Sequence, residues 1–415
     1  MPIPRDGSPD STLALLSKGY LFISDRCRRL DSDAFETRLM LRGAICMQGE
    51  EAARVFYVPG RFTRRGALPL STLLLLQDKG SVAMLDGEAH RRRKGMFMSL
   101  MTPEGLDALV AAAEAEWRAR FAAWEDGRPV TLLDEAREVM CRAACRWTGV
   151  PLTDAEAPQR TRELVAMIDG AGSVGPRNWR GMLLRARTER WARGIVEEVR
   201  SGALSPPPGS GLGVIASHRD EAGALLDPEI AAVEIINLLR PTVAVARFIA
   251  FAALALHQHP NWRGRLAEGD DALLEGFVQE VRRFYPFFPL VAGRVVQEFD
   301  WRGRHFRQGE WVLLDLYGTD HDARSWPDPD AFRPGRFRER EITPFNLIPQ
   351  GGGDFLAGHR CPGEWATIAL MKNAVALLTR AIRYEVPEQD LGFSLSRMPT
   401  APRSGFVLTR VERIG

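Results

Sequence analysis

Apolar residues recur at three- and four-residue spacing over 104–125 and 134–147, with strong helix formers between them, and each stretch predicts an amphipathic helix. The same spacing runs longest over 229–257, continues over 272–285 and returns over 363–383. Alternating patterns are fewer and shorter. They predict strands over 35–46 and 52–58, and a second set over 291–306 and 311–316 with a hairpin turn at Trp301-Arg302-Gly303-Arg304. A final strand is predicted over 405–411. The fold class is therefore mainly α with small β-sheets. The one obvious connector is Ser205-Pro206-Pro207-Pro208-Gly209-Ser210-Gly211. Composition does not change across it, so it reads as a surface loop within one α-rich domain over 1–415, with a β-containing N-terminal lobe at about 30–70. Internal repeats and low-complexity tracts are absent.

Charge narrows the range of partners. The net charge of +2, from 55 basic and 53 acidic residues, argues against a polyanionic partner, and no Lys/Arg block suggests nucleic acid. The densest basic stretch, Arg91-Arg92-Arg93-Lys94, calls for a local explanation. The first ten residues carry no basic-then-apolar signal pattern. The most apolar stretch, 231–256, is interrupted by Glu234, Arg240 and Arg247, so no membrane span is expected and the chain reads as cytoplasmic. The five cysteines, Cys27, Cys46, Cys141, Cys145 and Cys361, are odd in number and lack paired spacing, which argues against a disulfide framework or a zinc site. Cys141 and Cys145, four apart in a half-apolar helix, read as core residues.

Cys361 differs. It follows Pro349-Gln350-Gly351-Gly352-Gly353 and precedes Pro362-Gly363-Glu364, where a run of helix formers begins. Three glycines permit unusual backbone angles and the close approach of a flat ligand. The positive end of the following helix would stabilise a thiolate, which can bind iron axially and donate electron density. A glycine-rich turn with a buried free cysteine is the plainer alternative.

Two further motifs bear on that choice. Glu280-Val281-Arg282-Arg283 and Phe332-Arg333-Pro334-Gly335-Arg336-Phe337 precede the cysteine loop in order. Together the three segments resemble a cytochrome P-450, and the resemblance spans nearly the whole chain. It implies the cytochrome P-450 fold around a buried haem b (iron protoporphyrin IX), with Cys361 as axial iron ligand and the haem-thiolate loop at 349–363. It also implies that Glu280, Arg283 and Arg336 form a buried charge network, a carboxylate between two guanidiniums. His90, Lys94 and Arg64 fall where the family places partners for the haem propionates.

The long helix departs from the oxygen-using members of that family, which carry an acid and a threonine there to relay protons. Here the stretch reads Asn237-Leu238-Leu239-Arg240-Pro241-Thr242-Val243-Ala244. Pro241 removes a backbone N–H and should kink the helix. Arg240 is a fixed cation in an apolar helix and needs an anion, either Glu234 or the carboxylate of a substrate. The Arg-Pro pair resembles the bacterial fatty-acid peroxygenase branch, as do Phe97-Met98-Ser99-Leu100-Met101-Thr102-Pro103 and Leu314-Asp315-Leu316-Tyr317-Gly318-Thr319-Asp320-His321-Asp322. So do the residues around Glu280 and the extra residues between the glycines and Cys361. This resemblance implies hydrogen-peroxide-driven hydroxylation of a long-chain fatty acid at the α or β carbon, with no redox partner. Arg240 would hold the carboxylate, which takes over the role of the missing acid. Pro241, Phe287, Phe288, Leu290 and Val291 would line the substrate route.

Ala83, in Val82-Ala83-Met84-Leu85, falls where this branch often carries glutamine or histidine above the haem. Histidine there accompanies decarboxylation to a terminal alkene. Alanine cannot donate a proton, so hydroxylation is expected. The competing readings are an oxygen- and redox-partner-dependent monooxygenase, an alkene-forming decarboxylase, a hydroperoxide isomerase and a haem-thiolate sensor.

Overall fold

A computed structural model describes residues 3–414; Met1 and Pro2, part of the N-terminal stretch read above, and Gly415 lie outside it. The architecture is built on one helix, Pro228–Gln258, which starts at an Asp227 cap whose carboxylate accepts from Glu229 N at 2.7 Å, with a proline in its first turn. From Val243 to Leu256 every residue is buried, because neighbours cover this helix on all sides. Those neighbours include Leu132–Thr148, Pro176–Ser201 and Glu364–Arg380. Among the described residues it is the one helix long and apolar enough to cross a membrane, and 94% of its apolar window is buried inside the protein.

Other helices obey the same local chemistry. Thr102 caps Pro103–Trp124 by accepting from Gly105 N at 3.1 Å, and Asp270 caps Asp271–Phe284 by accepting from Leu273 N at 2.8 Å. The predicted helices over 104–125, 134–147, 229–257 and 272–285 all lie within two residues of observed ones. The last predicted helix stops at Arg380, and Ile382–Glu385 is a strand.

The main sheet has five strands in the order Ala34–Leu39, Arg42–Met47, Trp311–Asp315, Leu290–Val295 and Phe62–Thr63. Its pairings are antiparallel except that Arg42–Met47 runs parallel to Trp311–Asp315, with Cys46 opposite Leu313. The middle strand Trp311–Asp315 is buried along its whole length. A second sheet joins Val130–Thr131, Val407–Arg413 and Ile382–Glu385. The hairpin of Phe299–Trp301 and Arg304–Phe306 turns at Arg302 and Gly303, both left-handed at φ +50° and +69°, as a two-residue connection requires.

Two departures stand out. The strand predicted over 52–58 is a helix, Glu50–Phe56: two glutamates in its first turn and the alanine pair after them outweigh the β-like Val55-Phe56-Tyr57-Val58 tail. The helices Gly87–Met98, Ala157–Gly170 and Pro176–Ser201 were not read from the pattern. The 205–211 connector packs back on the end of Leu132–Thr148, where a Cβ on Gly149 would meet Pro207 at 3.0 Å.

Candidate active site

The turn before Cys361 depends on its glycines. Gly351 and Gly353 have φ of +90° and +80°, and a Cβ on Gly352 would lie 2.4 Å from Pro344 O. The chain then returns so that Cys361 N donates to Gln350 O at 3.4 Å, and helix Glu364–Arg380 begins three residues on. Gln350 is held from below: its Oε1 accepts from Arg282 at 3.2 Å, and its Nε2 lies 3.0 Å from Thr367 Oγ1 and 3.9 Å from the Cys361 sulfur. Glu364 fixes the other side, accepting from Arg282 and from Arg360, each at 2.6 Å.

Four of the five cysteines are buried, and Cys361 is the partly exposed one. The expected lowering of its pKa does not occur. Burial, with Glu364 nearby, pushes the thiol up to about 11 against the helix-end N–H of Gly363. A bound cation is what would hold this sulfur as a thiolate.

Above the loop a group of basic side chains converges without carboxylates. The His90 and His359 rings stand 4.0 Å apart, and Lys94 Nζ donates to the carbonyls of Gly358 and Arg360. Arg64 donates to Ala292 O at 2.8 Å and lies over the Phe56 ring. Among the described residues none of Arg64, His90 and Lys94 forms an ion pair with a protein carboxylate. Burial depresses all of them: Lys94 to about 8 although the Cys361 sulfur and Asp354 oppose the shift, His90, also facing Lys94, to about 4, and His359, the member missed in the sequence and facing Arg64 and His90, to about 2. A flat anionic group carrying two carboxylates beside an accessible sulfur fits this donor set, as haem does.

Behind the thiolate loop, Glu280, Arg283 and Arg336 lie together and fully buried. Glu280 accepts from Arg283 at 2.8 and 2.9 Å, from Arg336 at 3.1 Å and from Arg333 N at 2.7 Å. The remaining guanidinium hydrogens reach backbone carbonyls of Asp320, Pro327, Asp328 and Ala331.

The opposite wall is the central helix. Pro241 is exposed, with Asn237 and Thr242 partly so, in the middle of an otherwise buried helix. Such a face borders open interior space. Arg240, 7% exposed, donates to Leu75 O and to Asn237 Oδ1, each at 3.2 Å. Glu234, the alternative partner, is taken: it accepts from Arg93 at 2.9 Å, Asn237 Nδ2 at 2.9 Å and Val82 N at 2.7 Å. Among the described residues no carboxylate pairs directly with Arg240. Burial, then the charge of Arg185, pushes its guanidinium down to about 9, so it remains a cation at neutral pH; the Cys361 sulfur is among the groups whose charge acts on it. The same Glu234 contact pins the short turn Val82–Met84 that carries Ala83.

The apolar residues do not all gather. Phe287 stacks on Phe248 of the central helix at 4.2 Å, and Phe288 is 38% exposed. Leu290 and Val291, adjacent in a strand, pack against different clusters, Leu290 with those around Phe35 and Val291 with those around Phe56.

Several solved structures share this fold through nearly their whole length. Cytochrome P-450SP alpha (CYP152B1) in complex with (R)-ibuprophen is 49% identical, with a TM-score of 0.95, over 98% of this chain and 99% of that one. The chain belongs to the cytochrome P-450 family. A profile of the family matches residues 272–409. Cytochrome P-450EX alpha (CYP152N1) with myristic acid is 44% identical over 100% of both chains, with a TM-score of 0.96. A variant of cytochrome P-450 OleT in complex with arachidonic acid is 33% identical, over 100% of this chain and 99% of that one, at a TM-score of 0.97. A more distant relative is the putative cytochrome P-450 120 of Synechocystis sp., 25% identical over 88% of this chain and 86% of its own length. Within the family, this cytochrome P-450 falls among the fatty-acid peroxygenases, and its cofactor is a protoporphyrin IX haem.

Proposed function

We propose that this cytochrome P-450 hydroxylates long-chain fatty acids with hydrogen peroxide at the α or β carbon, consuming one peroxide and releasing one water, without a redox partner. The observation that carries the reading is the Arg240 guanidinium: buried, charged, satisfied only by two neutral oxygens, and set on the helix face that borders the interior space. A fatty-acid carboxylate supplies the missing anion through a two-pronged hydrogen-bonded pair. Anchored there, the headgroup brings only its nearest carbons to the reacting centre, which sets the position of attack.

Cys361 would hold the haem iron through its sulfur, with Arg64, His90 and Lys94 holding the propionates. Haem, when bound, supplies the peroxide-dependent oxidation of a C–H bond. The chain's part is to bind, orient and position a proton carrier. Neither Pro241 nor Ala83 has a side chain that exchanges protons, so the headgroup oxygen held by Arg240 moves the proton. The Ala83 methyl favours hydroxylation over alkene formation. Phe287 and Phe288 line the apolar route.

The test is purified protein with hydrogen peroxide and myristic acid beside an Arg240→Ala variant. Hydroxy acids from the parent and their loss in a variant that keeps its haem are expected. Equal turnover in both removes Arg240 from the mechanism, and turnover that needs NAD(P)H with redox partners replaces this reading by an oxygen-dependent one.

A further inference from the structure

A cavity of about 580 Å³ lies away from the site above: neither Cys361, Arg240, Pro241 nor Ala83 lines it. Its walls come from the start of helix Leu132–Thr148, the end of helix Ala157–Gly170, the central helix at Arg247 and the loop 394–405. Arg247 follows Arg240 by seven residues, two helical turns or about 10 Å along the axis.

The cavity is overcharged. Arg247 is 4% exposed; it donates to Asp169 Oδ1, while its Nε is buried without any partner. Arg137 approaches the other oxygen of Asp169 at 3.5 Å and donates to Asp134 at 2.9 Å. Arg177 already holds the Asp169 carbonyl at 2.6 Å. Arg397, on the rim, forms no ion pair among the described residues, yet its charge acts on both Arg177 and Arg247. Three guanidiniums of the wall, Arg137, Arg247 and Arg397, together with the exposed Arg177 beside it, thus stand against two carboxylates, Asp134 and Asp169, a local excess of two positive charges. A fifth arginine on the wall, Arg403, is paired with Asp390 at 3.2 Å. Burial, only partly offset by Asp169, pushes Arg247 down to about 10.

A buried guanidinium with an unpartnered Nε, Arg247, beside the unpaired and exposed Arg397 makes this wall a place for an anionic guest. A carboxylate would neutralise one of the two surplus charges. A phosphate, doubly charged near neutral pH, neutralises both and matches the planar guanidinium forks. The Ser394 and Thr400 hydroxyls on the wall add polar partners, and the volume suits a small organic molecule. We infer that this cavity binds a phosphate group, either free or borne by a small organic molecule. A guest there bridges the central helix, the end of Ala157–Gly170 and the 394–405 loop, whose Met398 already packs on Gly172.

The test is calorimetric titration of the haem-loaded protein, in a buffer free of chloride and phosphate, with inorganic phosphate, adenosine monophosphate and acetate. Phosphate should bind about tenfold or more tightly than acetate. Arg397→Ser, on the surface, and Arg247→Gln should each weaken it about tenfold, a loss of about 1.4 kcal/mol. Arg240→Ala should leave it unchanged, which separates this cavity from the proposed headgroup site. Tighter binding of the nucleotide identifies an organic phosphate, and equal binding identifies the free ion; both support the inference. It is overturned by acetate matching phosphate, by no heat at millimolar concentration, by unaltered binding in Arg397→Ser, or by loss in Arg240→Ala.

Discussion

Two buried arginine sites in this protein differ in how they are satisfied. Arg283 and Arg336 close on one carboxylate, Glu280, and on main-chain carbonyls until nearly every donor has a partner. Arg240 is almost as buried, but it meets only a carbonyl and an amide oxygen. The first arrangement fixes position and leaves no room for exchange. The second keeps a positive potential open toward the interior. The same residue type thus serves rigidity where its charge is matched and recognition where it is not.

Four changes break or sharpen that contrast. Glu280→Ala leaves two guanidiniums buried without an anion, and a loss of about 3–5 kcal/mol is expected in urea denaturation, with poor haem retention. A loss below about 1 kcal/mol would show that the network does not hold the core. Arg240→Ala removes a cation already short of partners, so stability should change by about 1 kcal/mol or less while the myristate Kd rises about 100-fold in a spectral titration. A stability loss like that of Glu280→Ala would erase the distinction between the sites. Asn237→Asp hands Arg240 an internal carboxylate and turns the open site into a matched one. Myristate binding should weaken about tenfold, with some stability lost because the Asn237 Nδ2 bond to Glu234 becomes a contact between two carboxylates, and unchanged affinity would mean the new anion does not compete.

The smallest effect is graded with pH. An unfolded imidazole gains its proton near 6.5, whereas burial keeps His90 neutral down to about 4 and His359 to about 2. Between those values the unfolded chain binds more protons, so stability present above pH 6.5 drains as pH falls toward 4. The denaturation midpoint of the cofactor-free chain should drop over that window, and His359→Gln should flatten the slope. A flat profile in the parent would rule out these histidines as the cause.

What the sequence disclosed follows from how local each signal is. The long helices announced themselves because their apolar stripes face a continuous core. The thiolate loop was readable because three glycines and a cysteine sit within eleven residues of one another. Helix Pro176–Ser201 was missed because its buried face includes Asn178 and Arg185 while Trp179 and Leu183 point outward, 68% and 72% exposed. That blurs the expected period. Arg240 was legible as an isolated charge, but the groups that hold it were not. One is a main-chain carbonyl 165 positions earlier, which leaves no trace in residue type. Whether Glu234 would neutralise Arg240 was equally hidden, since the answer depends on Arg93 and the Val82 amide arriving first.

The parallel pairing of Arg42–Met47 with Trp311–Asp315 has a bearing on how the chain is made. After Met47 is synthesised, about 260 residues must follow before its neighbouring strand exists. At roughly 5–20 residues per second, the first hairpin waits roughly 15–50 s on the ribosome with one flank unpaired. The early strands must therefore stay soluble through most of translation, and any truncation before Trp311 would leave them a sticky, unfinished edge.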